Sequence, residues 1–296
     1  MTTSENVATL QISKSRALLQ AWLSPRLGSE AAAWLEAQCA AIASGEKPAQ
    51  LAIAVGLAPR KVGKADLDLT AEEAAAGRTV REGLDATGWS VDQAARSLLV
   101  LASHRGDDEH FVAGLDRLLA AAEIGEQIAL LRGLPLYPAP ERLVHRAAEG
   151  VRSAMQPIFE AVAHRNPYPR EQFSEAQWNQ MVVKALFIES RLWPIQGLDA
   201  RRNPDLARML IDYAAERRTA GRAISPELWR CVAPFAGEAE VATLADRLRS
   251  GTDADRTGAA LALAECPLPS ARAALATVPD LAAAVDAGRV SWDQIA

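Results

Sequence analysis

The feature that most constrains this chain is its punctuation. Apolar-periodic stretches of about eight to twenty residues follow one another, each bounded by proline, glycine or a capping side chain. The first, Asn6 to Leu23, stops before Pro25; Ser29-Glu30 opens an alanine-rich run through Ser44 that Gly45 closes. A short apolar run from Gln50 to Leu57 ends at Pro59. Ser90 caps Val91 to Ser103, with Val91, Ala94, Ala95, Leu98 and Leu99 on one face. Asp107–Ala121, Glu123–Arg132, Pro140–Glu149 and Arg152–His164 follow. Asn166-Pro167-Tyr168-Pro169 reads as non-helical, because each proline disfavours the α region in the residue before it. Ser174 then caps a long segment to about Glu189, and Asn203-Pro204 and Ser225-Pro226-Glu227 are two further helix starts.

Composition agrees. Alanine fills 61 of 296 positions while only 15 residues are aromatic, which argues against a sandwich or a Val/Ile-rich parallel sheet. After Phe235 the helices shorten, at Glu238–Ser250, Asp253–Ala264, Ser270–Thr277 and Asp280–Gly288. Asp253-Ala254-Asp255-Arg256 with Ala259, Ala260, Leu261 and Leu263 has the pattern of a HEAT-type second helix. The expected fold is therefore all-α: an irregular helical array or α-solenoid with HEAT-like C-terminal helix pairs, a compact helical bundle being the alternative. The expected division is a helical domain over 1–235 and a HEAT-like tail over 236–296 packed on it, or one continuous domain. Alanine pairs and triplets at Ala31–Ala33, Ala40–Ala41, Ala259–Ala260 and Ala282–Ala284 are expected to permit close helix packing, chiefly towards the two ends.

A net charge of −5 provides no basic footprint for nucleic acid, so none is expected as a partner. Arginine outnumbers lysine 27 to 5, which reads as coding bias. Cys39, Cys231 and Cys266 are odd in number and far apart, with no CxxC or Cys/His pairing at zinc spacing. They are expected to be buried, reduced thiols of a cytoplasmic protein. The stretch Pro48 to Pro59 is uncharged for twelve residues, short of the about twenty needed to span a bilayer. Glu5, Lys14 and Arg16 leave no secretory apolar segment near the start.

Chemistry has few anchors. Asp107-Asp108-Glu109-His110 invites comparison with a diphosphate-binding DDxxD box, but position 111 is Phe; an N-cap is the better reading. His104, His110, His145 and His164 form no HxxxH or HxxE pair, and neither a metal site nor a cofactor is expected. GxSxG, GxxxxGK[ST] and GxGxxG are absent. Pro59-Arg60-Lys61-Val62-Gly63-Lys64 places glycine between cations in a loop, where backbone N–H groups can approach an anion; a solvated basic loop is the simpler reading. From Gln177 to Asn203 polar residues interrupt a strongly apolar helix. Asn179, Gln180 and Lys184 there must be hydrogen-bonded if buried, either to a ligand or to the following turn through Gln196, Asp199 or Arg201.

These motifs resemble the EboA family of bacterial proteins. The likeness rests on Trp178 to Ile188, Ile195-Gln196-Gly197-Leu198-Asp199, Asn203 to Leu210, Asp212-Tyr213-Ala214 and Pro226 to Arg230. Upstream, Pro59 to Leu67 and Trp89 to Arg96 fit the same pattern, so it runs from about Ala58 to Phe235. Arg217-Arg218 stands where family members often have a second aromatic, and Glu189 and Arg191 replace small or neutral residues. The resemblance implies a cytosolic protein encoded beside a UbiA-like membrane prenyltransferase, a TatD-like metal hydrolase and sugar-phosphate-type enzymes. That cluster makes or exports a secondary metabolite. It defines no reaction for the protein itself.

Two functions stay open on the sequence. The first is a non-catalytic adaptor that assembles the cluster's proteins, the membrane prenyltransferase among them, or carries their product. The second is an enzyme or small-molecule-binding protein acting on a prenylated or phosphorylated intermediate. Its candidate patch is Arg60 and Lys64 for the anion, with His164, Asn179, Lys184 and Asp199 around an apolar pocket.

Overall fold

A computed structural model describes residues 3–47 and 49–295, with side chains from Leu10 onward. Pro48, which opens the uncharged stretch, and the Glu5 side chain lie outside the described residues. The fold is all-α. Among the described residues no strand forms, and Asp66 and Ser90 make an isolated antiparallel bridge. No described helix is long and apolar enough to cross a membrane.

The chain divides into two compact units, 1–173 and 174–296. The first holds α1 (Thr3–Leu23), α2 (Ser29–Ser44), α3 (Gln50–Lys61), α4 (Ala71–Val80) and α5 (Val91–Ala102). It continues with α6 (Asp108–Ala121), α7 (Ile124–Arg132), α8 (Val144–Arg152), α9 (Gln156–Ala163) and α10 (Tyr168–Gln172). Helix α5 is its hub, packing on α1, α2, α3 and α7. The sequence periodicity predicts one apolar face, but every α5 residue except Gln93 is buried. A helix enclosed on all sides must satisfy its own charges. Asp92 and Arg96 do so at i,i+4, pairing at 2.7 Å with both side chains 7% exposed.

Two proline readings need correction. Helix α3 does not stop at Pro59; it runs through it to Lys61. Proline removes the N–H that would bond the Val55 carbonyl, and Arg96 Nε supplies the missing donor at 3.0 Å. The Pro167–Pro169 stretch is likewise not wholly non-helical: α10 begins at Tyr168, with Pro169 in its first turn. Buried Asn166 starts it by accepting from the Tyr168 N–H at 3.0 Å, while its amide donates to the carbonyls of Ala161 and Leu131.

The second unit holds α11 (Glu175–Phe187), α12 (Pro204–Thr219), α13 (Leu228–Val232), α14 (Glu238–Ser250), α15 (Asp253–Glu265), α16 (Pro269–Leu275) and α17 (Pro279–Asp286). Helix α15 packs on α13, α14, α16 and α17. Its Ala259, Ala260 and Ala262 are fully enclosed, as short side chains between close helices require. Two other alanine runs, one at each end, differ from expectation. Ala31–Ala33 and Ala282–Ala284 are half-buried or exposed, whereas Ala54, Ala58, Ala94, Ala95 and Ala102 are fully buried around the hub. Small residues thus serve the middle of the first unit rather than its start.

All three cysteines are buried and unpaired. Burial pushes the Cys39 thiol to about 11 and that of Cys231 to about 12, so neither is a ready nucleophile. Asp107 caps α6 by accepting from the His110 N–H at 3.0 Å, the role expected of it.

Candidate functional site

The central motif is built on α11. Ser174 and Gln177 cap it reciprocally, Gln177 N–H to Ser174 Oγ at 3.3 Å and Ser174 N–H to Gln177 Oε1 at 3.0 Å. Trp178, Asn179, Met181, Val182, Ala185 and Leu186 face inward. Asn179 is tied internally, but not through Gln196, Asp199 or Arg201. Its partner is Asn203: the two amides exchange bonds of 3.1 and 2.9 Å. Asn203 Oδ1 also accepts from the Leu206 N–H at 2.8 Å, capping α12. One amide pair therefore fixes α11 against the start of α12. The Arg201 guanidinium covers the buried Trp178 ring at 4.7 Å. Lys184 lies half-buried on the same helix, Gln180 is exposed, and Phe187 ends the motif 68% exposed.

Asp199 belongs to an ion network. Arg230 grips it with two bonds of 2.7 Å, and Arg202 lies 3.8 Å away while also pairing with Glu265. Burial alone would raise the Asp199 carboxyl, but the Arg230 bonds and charge outweigh it and hold it below the ordinary range. This network joins the turn after α11 to α13 and α15.

A residue that sequence reasoning treated only as part of a helix start is central here. Glu227 is buried and accepts from the N–H groups of Leu192 at 2.9 Å and Trp193 at 2.7 Å. Burial raises its carboxyl above the ordinary value, opposed by those two bonds. Glu227 lines a cleft of about 480 Å³ with Glu189, Arg191, Tyr213 and Arg217. Glu189, Arg191 and Arg217 thus share one cleft, and Arg218 is not among its described lining residues. Two of them compensate in charge, Arg217 Nη2 standing 3.6 Å from Glu189 Oε1. Glu189 adopts a left-handed φ of 57°, uncommon outside glycine.

In the first unit, Arg60 and Lys64 line a cleft of about 560 Å³ with the buried Asp92–Arg96 pair, Glu123 and Glu126. Arg60 sits in the last turn of α3 rather than in a loop, where the helix dipole favours a cation. Gly63 does take the left-handed conformation, at φ 84°. Among the described residues neither the Arg60 nor the Lys64 side chain has an ion-pair or hydrogen-bond partner, and both residues are exposed. His164 lines a different cleft of about 260 Å³, with Asp85, Arg132, Glu160 and Arg165. It ends α9 with its N–H on the Glu160 carbonyl at 2.9 Å. Of the six candidate residues the structure therefore brings Arg60 and Lys64 together and places His164 elsewhere in that unit. In the second unit, Asn179 and Asp199 are engaged in internal bonds.

A family model described as metabolite traffic protein EboA matches residues 15–233. The chain belongs to the EboA family. No curated protein and no solved structure matches it. The EboA match reaches further towards the N-terminus than the motifs quoted from the sequence, covering α2 and the first turns of α3. It includes all six candidate residues and Glu227, and ends before α14.

Proposed function

We propose that this EboA-family chain is a non-catalytic adaptor in metabolite traffic, contacting other proteins of its pathway, the membrane prenyltransferase being one candidate. The observation that carries this reading is the inverted arrangement of α11. Its distinctive amide, Asn179, is buried and paired with Asn203, whereas the aromatic Phe187 is 68% exposed. A catalytic motif presents polar groups to a reactant. One that commits its buried amide to an internal pair and exposes an aromatic suits contact with a protein, where aromatic anchors dominate binding. The test is to co-purify the tagged chain from cells expressing its neighbouring genes, beside a Phe187→Ser variant. Recovery of pathway proteins with the parent chain and their loss with the variant is expected; recovery of none overturns the adaptor reading.

A second reading, small-molecule binding at Arg60 and Lys64, draws support from those two unpaired cations on one cleft. Metabolite profiles of cells carrying Arg60→Ala/Lys64→Ala, against deletion and parent strains, test it. A deletion-like profile favours a ligand site there, and a parental one favours the adaptor.

A further inference from the structure

A cleft of about 250 Å³ in the first unit differs from its neighbours in charge. Its floor is apolar, formed by Ile42 of α2, Leu51 of α3 and Leu118 of α6, and its rim carries Lys47, Arg105 and Arg117 beside the His110 ring. No Asp or Glu is among its described lining residues. The Arg60–Lys64 cleft, by contrast, sets Arg60, Lys64 and Arg96 against Asp92, Glu123 and Glu126.

These cations also lack the internal partners found elsewhere. In the same unit Arg26 pairs with Glu73, Arg81 with Glu171 and Arg146 with Asp116. Among the described residues the Lys47 and Arg117 side chains have no ion-pair or hydrogen-bond partner. Arg105 Nη2 meets His110 Nε2 at 3.2 Å. A guanidinium only donates, so Nε2 accepts and the ring proton is assigned to Nδ1. Arg105 thus donates to an imidazole nitrogen and has no carboxylate partner among the described residues. Gly45 makes room for it: any Cβ there would collide with the Arg105 guanidinium, and φ is 70°. Three like charges stand around one apolar floor in a chain of net charge −5, and with no carboxylate among the described lining residues they form a local positive field there.

We propose that this cleft binds an amphipathic anion, its short apolar body on Ile42, Leu51 and Leu118 and its phosphate or carboxylate head on Lys47, Arg105 and Arg117. Both requirements are met in one place: apolar contact for the body and charge-assisted bonds for the head. The proposal goes beyond the adaptor reading and does not depend on it, because a failed co-purification leaves ligand binding untouched.

The test titrates the full chain with octyl phosphate, octanoate, octanol and inorganic phosphate, following the methyl resonances of Ile42, Leu51 and Leu118. Octyl phosphate or octanoate is expected to saturate these shifts, and the tighter of the two identifies the head group. Octanol and inorganic phosphate are expected to bind at least about tenfold more weakly, as is octyl phosphate to Arg105→Gln/Arg117→Gln. If that variant unfolds at a lower temperature than the parent, Lys47→Gln gives the same readout from an exposed loop. Octanol binding as tightly as both anions, shifts confined to other methyls, affinity unchanged in the charge variants, or no saturation by either anion overturns the proposal.

Discussion

Arg96 donates from Nε to the Val55 carbonyl at 3.0 Å, the carbonyl that Pro59, four residues on, has no N–H to reach. The same guanidinium neutralises Asp92 at 2.7 Å inside the hub helix α5. One side chain thus serves a proline-interrupted helix and a buried charge at once. Arg96→Met leaves both the Asp92 carboxylate and the Val55 carbonyl without their donor, and is expected to cost about 3–5 kcal/mol. Denaturant unfolding checks this. Adding Pro59→Ala restores an N–H to Val55, so the double variant should recover about 1 kcal/mol of the loss. Recovery of nothing would mean that the Val55 bond carries none of it.

Asn179 and Asn203 hold α11 to α12 by a reciprocal pair, and Asn203 alone also caps α12. The two positions should therefore differ. Asn203→Ala loses pair and cap, which adds about 0.5–2 kcal/mol to what Asn179→Ala costs. Because the amides satisfy each other, a double-mutant cycle is expected to give a coupling of about 0.5–3 kcal/mol. Additive losses would show that the exchange of bonds contributes nothing of its own.

How far the sequence foretold this arrangement depends on the range of the interaction. The Ser174, Asp107 and Asn203-Pro204 helix starts were legible because a cap acts within three residues of itself. Asn179 was legible as an amide needing a partner, while the identity of that partner, 24 residues away, was not. Pro59 misled because the donor that rescues its helix, Arg96, lies 41 residues downstream of the Val55 carbonyl. Glu227 passed for part of a helix start, since nothing local marks it as the acceptor for Leu192 and Trp193. The cationic cleft at Lys47, Arg105 and Arg117 left no sequence trace either: three separate segments supply it.

Glu73 gives the first unit an acid-sensitive tie. Arg26 reaches it with bonds of 2.8 and 2.7 Å, and the Thr70 N–H adds a third at 2.9 Å. Led by the Arg26 bond, these hold the Glu73 carboxyl at about 2 against an ordinary 4.5. A depressed carboxyl stabilises the fold fully above its unfolded value and ceases to do so as pH falls through its folded one. The contribution is therefore expected to disappear between about pH 4.5 and about pH 2. Glu73→Gln should lower the thermal midpoint at pH 6 and converge on the parent near pH 2. A constant difference across that range would refute the ion-pair origin of the effect.

Glu227 has the opposite sign. Burial raises its carboxyl, so the fold favours the protonated form more than the unfolded chain does. Its titration supports the fold below the ordinary carboxylate range and progressively less as pH rises through the raised value. Its two acceptor oxygens nevertheless hold the Leu192 and Trp193 N–H groups, and an amide offers a single acceptor oxygen. Glu227→Gln is thus expected to flatten the pH dependence from this group while freeing one of those two N–H groups. Hydrogen exchange locates the second effect: the Leu192 or Trp193 amide should exchange at least about tenfold faster, with α14 and α15 unchanged. Acceleration spread over the whole second unit would instead mark Glu227 as a support of global stability and not of this loop.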